Sequence, residues 1–338
     1  MNNKRIIPPK SWKKSENHFL SAIESEWYAF ILELQNEINW CTHEFYRKKY
    51  LKTLFLPVTT NSISSPMGLG SDSLPVEINL FNQTTYLADS MQFMLEYGCR
   101  FFDGGCYYLM PSFRGEKADE RHLCQFYHSE AEIKGYLEDV IGLVEEYLVY
   151  LSECMLRKYG NTIAETAGTL EHAEKLVLTK NFERIKYSEA VKILSDKKGC
   201  LKKDGDFIYI TSKGERQLIK QFNGAVWLTH MDKRIVPFYQ TESPDGYSAE
   251  CADLLMGIGE TIGAGERHKS GEEVKSALSA HKIPIEDYDW YIKMKDNYPL
   301  KTSGFGMGTE RYILWLLSHD DIRDCQLLPR FNGEKFVP

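Results

Sequence analysis

Glycine stands at every second position in Gly304, Gly306 and Gly308, directly before Thr309-Glu310-Arg311, and no other feature of this 338-residue chain constrains its fold so tightly. Side chains alternate between the two faces of a β-strand, so a strand here presents one bare face. That suits a flat ligand laid against the backbone. A dinucleotide-binding turn needs a different spacing, with glycines bending the chain around a phosphate. Beyond the glycines, Ile313, Leu314, Leu316 and Leu317 share one side of a predicted helix over 307–318, with Arg311 one turn into it. Read alone, the run also fits glycines that let a helix pack closely beside a solvated arginine.

A second cluster runs Ser112-Phe113-Arg114-Gly115-Glu116, continues through polar residues to Arg121, and ends in His122 to Glu130. It reads as strand, polar loop, strand. By the two-residue period Phe126, His128 and Glu130 share a face, as do Arg114 and Glu116 across the hairpin. An exposed, salt-bridged hairpin is the plain alternative, but it gives no reason for a phenylalanine among the charges. The third cluster spans Asp253 to Arg267 and sets Asp253 and Glu260 in an apolar, glycine-rich strand pair. Carboxylates are costly to bury there unless a cation neutralises them, and magnesium is the natural choice beside phosphates. Arg267 reads either as a surface ion pair or as a clamp for a substrate carboxylate or amide oxygen.

Elsewhere, helical spacing from Glu16 to about Tyr50 predicts one long amphipathic helix ending near Leu56-Pro57-Val58. The Ser-, Gly- and Pro-rich stretch Asn61 to Pro75 reads as a mobile loop. Strands are predicted over 76–81, 106–113, 123–133, 207–211, 225–229 and 236–240, and helices over 131–158 and 187–194. Residues 160–186 give no clear pattern beyond a helical insertion. Helices inserted among strands, without strict alternation, indicate an α+β fold with a mostly antiparallel sheet.

Composition bounds the function classes. With 43% hydrophobic residues the chain has ordinary globular content, and no apolar run is long enough for a signal peptide core or a membrane span. Its eight cysteines are scattered, without a close pair of the kind that holds zinc, so reduced thiols and a cytoplasmic location are expected. A formal charge of −7 argues against broad contact with a phosphate backbone.

In this order the three clusters resemble the signature motifs of class II aminoacyl-tRNA synthetases, nearest to the asparaginyl/aspartyl branch. The resemblance runs from about Leu54 to Arg330 and includes the tail Ile322 to Arg330. It implies a large antiparallel sheet flanked by helices, a catalytic domain over 54–338, and a helical segment 1–53 associated with a homodimer. An anticodon-binding barrel is not expected. Carried over by resemblance, Arg114 would hold the α-phosphate of ATP, Glu116 the adenine side and His122 the outer phosphates. Phe126 would stack on adenine, Arg311 would clamp the nucleotide's other face beside Gly308, and Asp253 and Glu260 would bind Mg2+.

The same resemblance places an amino-acid substrate against Ser90, Gln92 and Glu130. Aspartate-specific relatives carry a lysine where this chain has Leu95, and Glu96 stands as in asparagine-specific ones. With Arg267 on the amide oxygen, the pocket is expected to read an amide. Asp89 replaces a usual glutamine, and the loop over 62–75 resembles that of truncated archaeal asparagine synthetases. The expectation is an ATP- and Mg2+-dependent ligase that adenylates asparagine or a close analogue and passes it to a small-molecule or carrier nucleophile. Asparagine synthesis from aspartate and ammonia, minimal tRNA ligation and an inactive regulatory paralogue are the alternatives. Leu95 counts against the first, the acidic charge and missing barrel against the second, and the intact motif residues against the third.

Overall fold

The computed structural model describes residues 5–64 and 74–337. Its centre is an eight-stranded sheet of β1 (Lys52–Thr53), β2 (Cys106–Phe113), β3 (Gln125–Lys134), β4 (Glu183–Lys186), β5 (Val226–Thr229), β6 (Cys251–Met256), β7 (Gly259–Glu266) and β8 (Thr302–Gly308). The spatial order is β1-β2-β3-β8-β7-β6-β5-β4. Only the two outermost pairs, β1 with β2 and β4 with β5, are parallel; the rest is antiparallel. The α+β expectation holds.

The helices that position the site are α1 (Glu26–Lys48), α2 (Gln92–Gly98), α3 (Leu137–Ala167), α4 (Ser212–Gln221), α5 (Gly271–His281), α6 (Asp289–Asn297) and α7 (Thr309–Leu316). One face of the sheet is covered by α1 and α3. Thr42 of α1 bonds the Tyr147 hydroxyl of α3 at 2.6 Å, and the Tyr147 ring lies 6.1 Å from that of Phe305. Phe305 and Met307 therefore point into the main core, and the glycines between them face the other way. The segment before residue 54 shares that core through Trp27, Ile31, Leu34, Ile38 and Tyr46.

Several predicted boundaries shift for local reasons. The helix expected over 16–50 is broken, because Ser25 turns extended (φ −95°, ψ 118°) and caps α1 by accepting from the Tyr28 amide. It ends at Lys48, short of the expected Leu56 region, and β1 follows. Residues 131–134 belong to β3, paired with β8, and the chain reverses at Gly135 (φ +149°) before α3 begins. The segment 236–240 is irregular: Pro237 has no N–H for a ladder, and only Gln240 makes a bridge, to Arg267. The unassigned 160–186 stretch completes α3, ends it at Gly168 (φ +81°), and adds a helix Glu171–Thr179 and the edge strand β4. Of the loop expected over 61–75, residues 65–73 lie outside the described residues. Among the described residues, no helix is long and apolar enough to cross a membrane.

Candidate active site

The open face of the sheet is a floor of glycines. Strands β7 and β8 set Gly263 opposite Gly306 and Gly265 opposite Gly304, while β3 brings Glu130 and Glu132 beside those two β8 glycines. Polar side chains lie where Cβ atoms would otherwise stand. A Cβ on Gly304 would meet Glu132 Oε2 at 1.8 Å, and one on Gly265 would meet Gln240 Oε1 at 1.8 Å. Glu130 Oε1 is 3.3 Å from the same point on Gly306, and Glu260 Oε1 is 3.3 Å and Asp253 Oδ1 3.6 Å from that on Gly263. The alternating glycines thus let carboxylates and an amide lie flat on the backbone.

Over one half of this floor, Arg114, Glu116, Arg121, His122, Phe126 and Arg311 surround a cavity that also reaches Gly308 and Glu260. The Arg114 guanidinium sits 5.5 Å from the centre of the Phe126 ring. Arg114 Nε, Arg121 Nε and Glu116 Oε2 are buried with no hydrogen-bond partner among the described residues, a cost that a bound polar ligand would remove. Burial pushes the Arg311 guanidinium below its ordinary pKa; Glu260 opposes this, and nearby Arg121 and Arg114 reinforce it. Burial likewise raises Asp253 well above the usual carboxylate range, followed in size by repulsion from Glu260 and Glu215, with Arg311 opposing. Three guanidiniums and the Glu260 carboxylate thus line one cavity, and Asp253, the partner of Glu260, lines the cavity next to it. His122 stays at its rim, its Nδ1 2.9 Å from Asp119.

A second cavity, over the other half, is lined by Ser90, Gln92, Glu130, Tyr239, Gln240 and Arg267. Ser90 donates to Glu130 Oε2 at 2.6 Å, and the main-chain N–H of Gln92 donates to Ser90 Oγ at 3.2 Å. Burial alone would raise the Glu130 carboxyl, but hydrogen bonds from His128 and Ser90 hold it below its ordinary value. Arg267 pairs with Glu132 (Nη2 to Oε2, 3.2 Å) and lies 5.2 Å from the Tyr239 ring centre. The two cavities meet at Arg114, His128, Glu260 and Gly306, which line both.

Glu96 is the one sequence-predicted site residue that lines neither cavity. Its side chain is fully buried behind the wall, where Lys295 of α6 donates to Oε2 at 2.5 Å and the Tyr291 hydroxyl to Oε1 at 2.7 Å. Leu95 is buried in a neighbouring apolar cluster. Sequence reasoning passed over Arg121, Glu215 and Gln240. Arg121 had stood as one more polar loop residue, and Glu215 lies in a helix that gave no signal. It reaches the cavity by an ion pair with Arg121 at 2.6 Å. Gln240 was hidden in a segment read as strand; its Oε1 is buried and unpartnered among the described residues.

A fold and a cleft of this kind define a nucleotide-using class II synthetase core, and the sequence profile of the tRNA synthetases class II (D, K and N) matches residues 12–332. The chain belongs to that family. It is 29% identical over 307 residues to the asparagine–tRNA ligase of Lactobacillus johnsonii, an alignment that covers 89% of this chain and 68% of the relative. Among solved structures, the asparaginyl-tRNA synthetase of Pyrococcus horikoshii complexed with asparaginyl-adenylate matches with a TM-score of 0.85 at 27% identity, over 93% of this chain and 71% of the other. The Entamoeba histolytica asparaginyl-tRNA synthetase in complex with asparaginyl-adenylate gives 0.85 at 27%, over 98% and 74%.

Proposed function

We propose that the protein is an ATP-dependent ligase that adenylates the carboxylate of asparagine, or a close analogue, and passes the acyl group to a small amine. The observation that carries this reading is the meeting of the two cavities at Arg114 and Glu260, so that a nucleotide and an amino acid held on the glycine floor touch end to end. The two solved relatives described above hold an asparaginyl-adenylate. In the first step a carboxylate oxygen attacks the α-phosphorus and pyrophosphate leaves with the bonding pair. Arg114 and Arg311 supply fixed positive charge to the phosphoryl oxygens, and Arg121 and His122 to the departing phosphates. Phe126 and Glu116 hold the base, while Ser90, Gln92 and Glu130 hold the α-ammonium group.

Asp253 and Glu260 fit Mg2+: two hard oxygen donors lie beside each other over Gly263, and burial, followed by repulsion from Glu260, raises the Asp253 carboxyl, which a bound cation would counter. The ion would supply charge neutralisation for the polyphosphate, which would complete its coordination.

Preference for an amide follows from charge balance. Arg267 is already neutralised by Glu132, so the buried pair can donate to a neutral carbonyl oxygen but would leave an aspartate side chain uncompensated. A small acceptor is favoured by the overall charge of −7 and by the 114–122 loop, which is tied down through Arg121 and Glu215. Association as a homodimer is supported by Tyr50, Phe55 and Phe101, which are 81%, 99% and 65% exposed around β1. A cytoplasmic location is supported by eight free thiols, seven of them buried.

Pyrophosphate exchange into ATP, run across the amino acids, tests the reading. Exchange with asparagine and not aspartate is expected; aspartate-only exchange would transfer the assignment to asparagine synthesis. Charging of tRNA in place of transfer to ammonia or methylamine would remove the small-acceptor half.

A further inference from the structure

Four residues line both cavities, and so border the place where an acyl-adenylate carbonyl would lie: Arg114, His128, Glu260 and Gly306. Their chemistries differ in a decisive way. A guanidinium does not give up its proton at physiological pH, glycine offers only backbone, and Glu260 belongs to the carboxylate pair suited to a cation. His128 alone of the four carries an uncharged ring nitrogen whose lone pair can accept a proton from a nucleophile.

The surroundings of His128 fix which nitrogen is free to act. On β3 its Nδ1 lies 2.9 Å from Glu130 Oε1 and 3.0 Å from Ser112 Oγ. Nδ1 hydrogen-bonds Ser112 Oγ, and the neighbouring carboxylate charge favours the tautomer with the proton on Nδ1, which leaves the lone pair on Nε2. Nε2 makes no hydrogen bond among the described residues, although the side chain is only 14% exposed. The ring is further held edge-on against Phe126, with centroids 4.8 Å apart and planes at 86°. Glu130 cannot swing away, because its other oxygen is held by Ser90 at 2.6 Å. An imidazole oriented by a buried carboxylate, with its free nitrogen at a reaction centre, is the arrangement that general-base catalysis requires.

We propose that His128, oriented by Glu130, is the general base for the second step, taking the proton of the acceptor nucleophile. The inference rests on the adenylation reading above. The neutral amine nitrogen attacks the adenylate carbonyl carbon and forms the C–N bond. The C–O bond to phosphate breaks, and AMP leaves with the electron pair. The proton that the nitrogen must lose passes to Nε2, and Glu130 stabilises the imidazolium that results. His128 takes no part in attack on the α-phosphorus, since a carboxylate nucleophile has no proton to lose.

The difference between the two steps gives the test. In the full-length protein, His128→Gln keeps a polar side chain of similar reach but cannot accept the proton. Three rates are compared in wild type and variant: asparagine-dependent pyrophosphate exchange, amide formation with methylamine, and hydroxamate formation with hydroxylamine. Hydroxylamine attacks as a neutral, strongly nucleophilic nitrogen and depends least on a base. The expected result is that methylamine transfer falls about 10²-fold further than exchange, the usual size of a general-base contribution. Hydroxamate formation should follow exchange. Exchange also reports that the variant is folded. A parallel fall in all three rates overturns the proposal and makes His128 a substrate-holding residue, and so does methylamine transfer that keeps pace with exchange. If wild type itself supports no exchange with any amino acid, the adenylation reading fails first and this step with it.

Discussion

The two halves of the cleft rest on one glycine floor yet treat charge in opposite ways. In the half around Arg114 and Arg311, Arg114, Arg121 and Glu116 keep buried polar atoms without partners among the described residues, and at its border Asp253 and Glu260 repel each other. Behind the wall of the other half, among the described residues, buried charges are paired, Glu96 with Lys295 and Tyr291, and Arg267 with Glu132. Unmatched charge marks where a ligand of opposite charge is to arrive. Matched buried charge instead fixes the shape and net neutrality of a pocket, at a desolvation cost that close pairing offsets.

Removing a carboxylate should therefore have contrary effects in the two halves. Glu96→Ala leaves the fully buried Lys295 ammonium without its carboxylate, and a loss of about 3–5 kcal/mol in urea unfolding is expected. Asp253→Asn relieves a repulsion, so its unfolding midpoint should stay level or rise while adenylation is lost. Equal destabilisation by both variants would break the comparison. Arginines of the open half sharpen it from the kinetic side. Arg311→Ala or Arg114→Ala should lower pyrophosphate exchange by roughly 10²–10³-fold, the usual effect of removing a charged donor from a developing oxyanion. Near-wild-type exchange in either variant would show that the positive charge there is not aimed at the reaction.

These contrasts explain which parts of the site were legible in the sequence. The open half is written in local patterns: alternate glycines in 304–308, a period-two face of Phe126, His128 and Glu130, and paired carboxylates in an apolar strand. The two-residue period of a strand fixes each of those spacings, so each shows in a short window. The closed half depends on partners distant in sequence. Glu96 and Lys295 are 199 positions apart, and Arg267 and Glu132 are 135 apart, so no window shows that Glu96 faces away from the pocket. The same holds for the fold. Strand 106–113 and helix 187–194 were readable from their own residues. Segment 236–240 was misread because its aromatic, alternating pattern is satisfied by burial of Phe238 and Tyr239 in a loop crossed by Pro237.

His268 extends the comparison to pH. It is 5% exposed, donates from Nε2 to the Phe238 carbonyl at 2.9 Å, and is pushed down to about 4, first by burial, with Lys295 adding to the effect. Between that value and the unfolded one near 6.5 the unfolded chain binds the extra proton, so stability rises with pH across the window. Acidifying from about 6.5 towards 4 should cost up to about 3 kcal/mol through this one group. His268→Gln should flatten the pH dependence of the unfolding free energy. An unchanged slope would mean that the closed half admits the charge.

The smallest effect is expected where the two regimes touch. Arg121 reaches into the open cavity but is tied at 2.6 Å to Glu215 of α4, with side chains 11% and 18% exposed. Glu215 also adds to the repulsion that raises Asp253, so one carboxylate acts on both an arginine and a carboxyl group of the cleft. Glu215→Ala should change stability by only about 1 kcal/mol or less, because a partly solvated pair loses little. It frees Arg121 and removes a negative charge from the nucleotide cavity, so the KM for ATP should fall while the KM for asparagine stays level. If the KM for ATP rises instead, Glu215 holds Arg121 in its working position and the ion pair belongs to the assembled site.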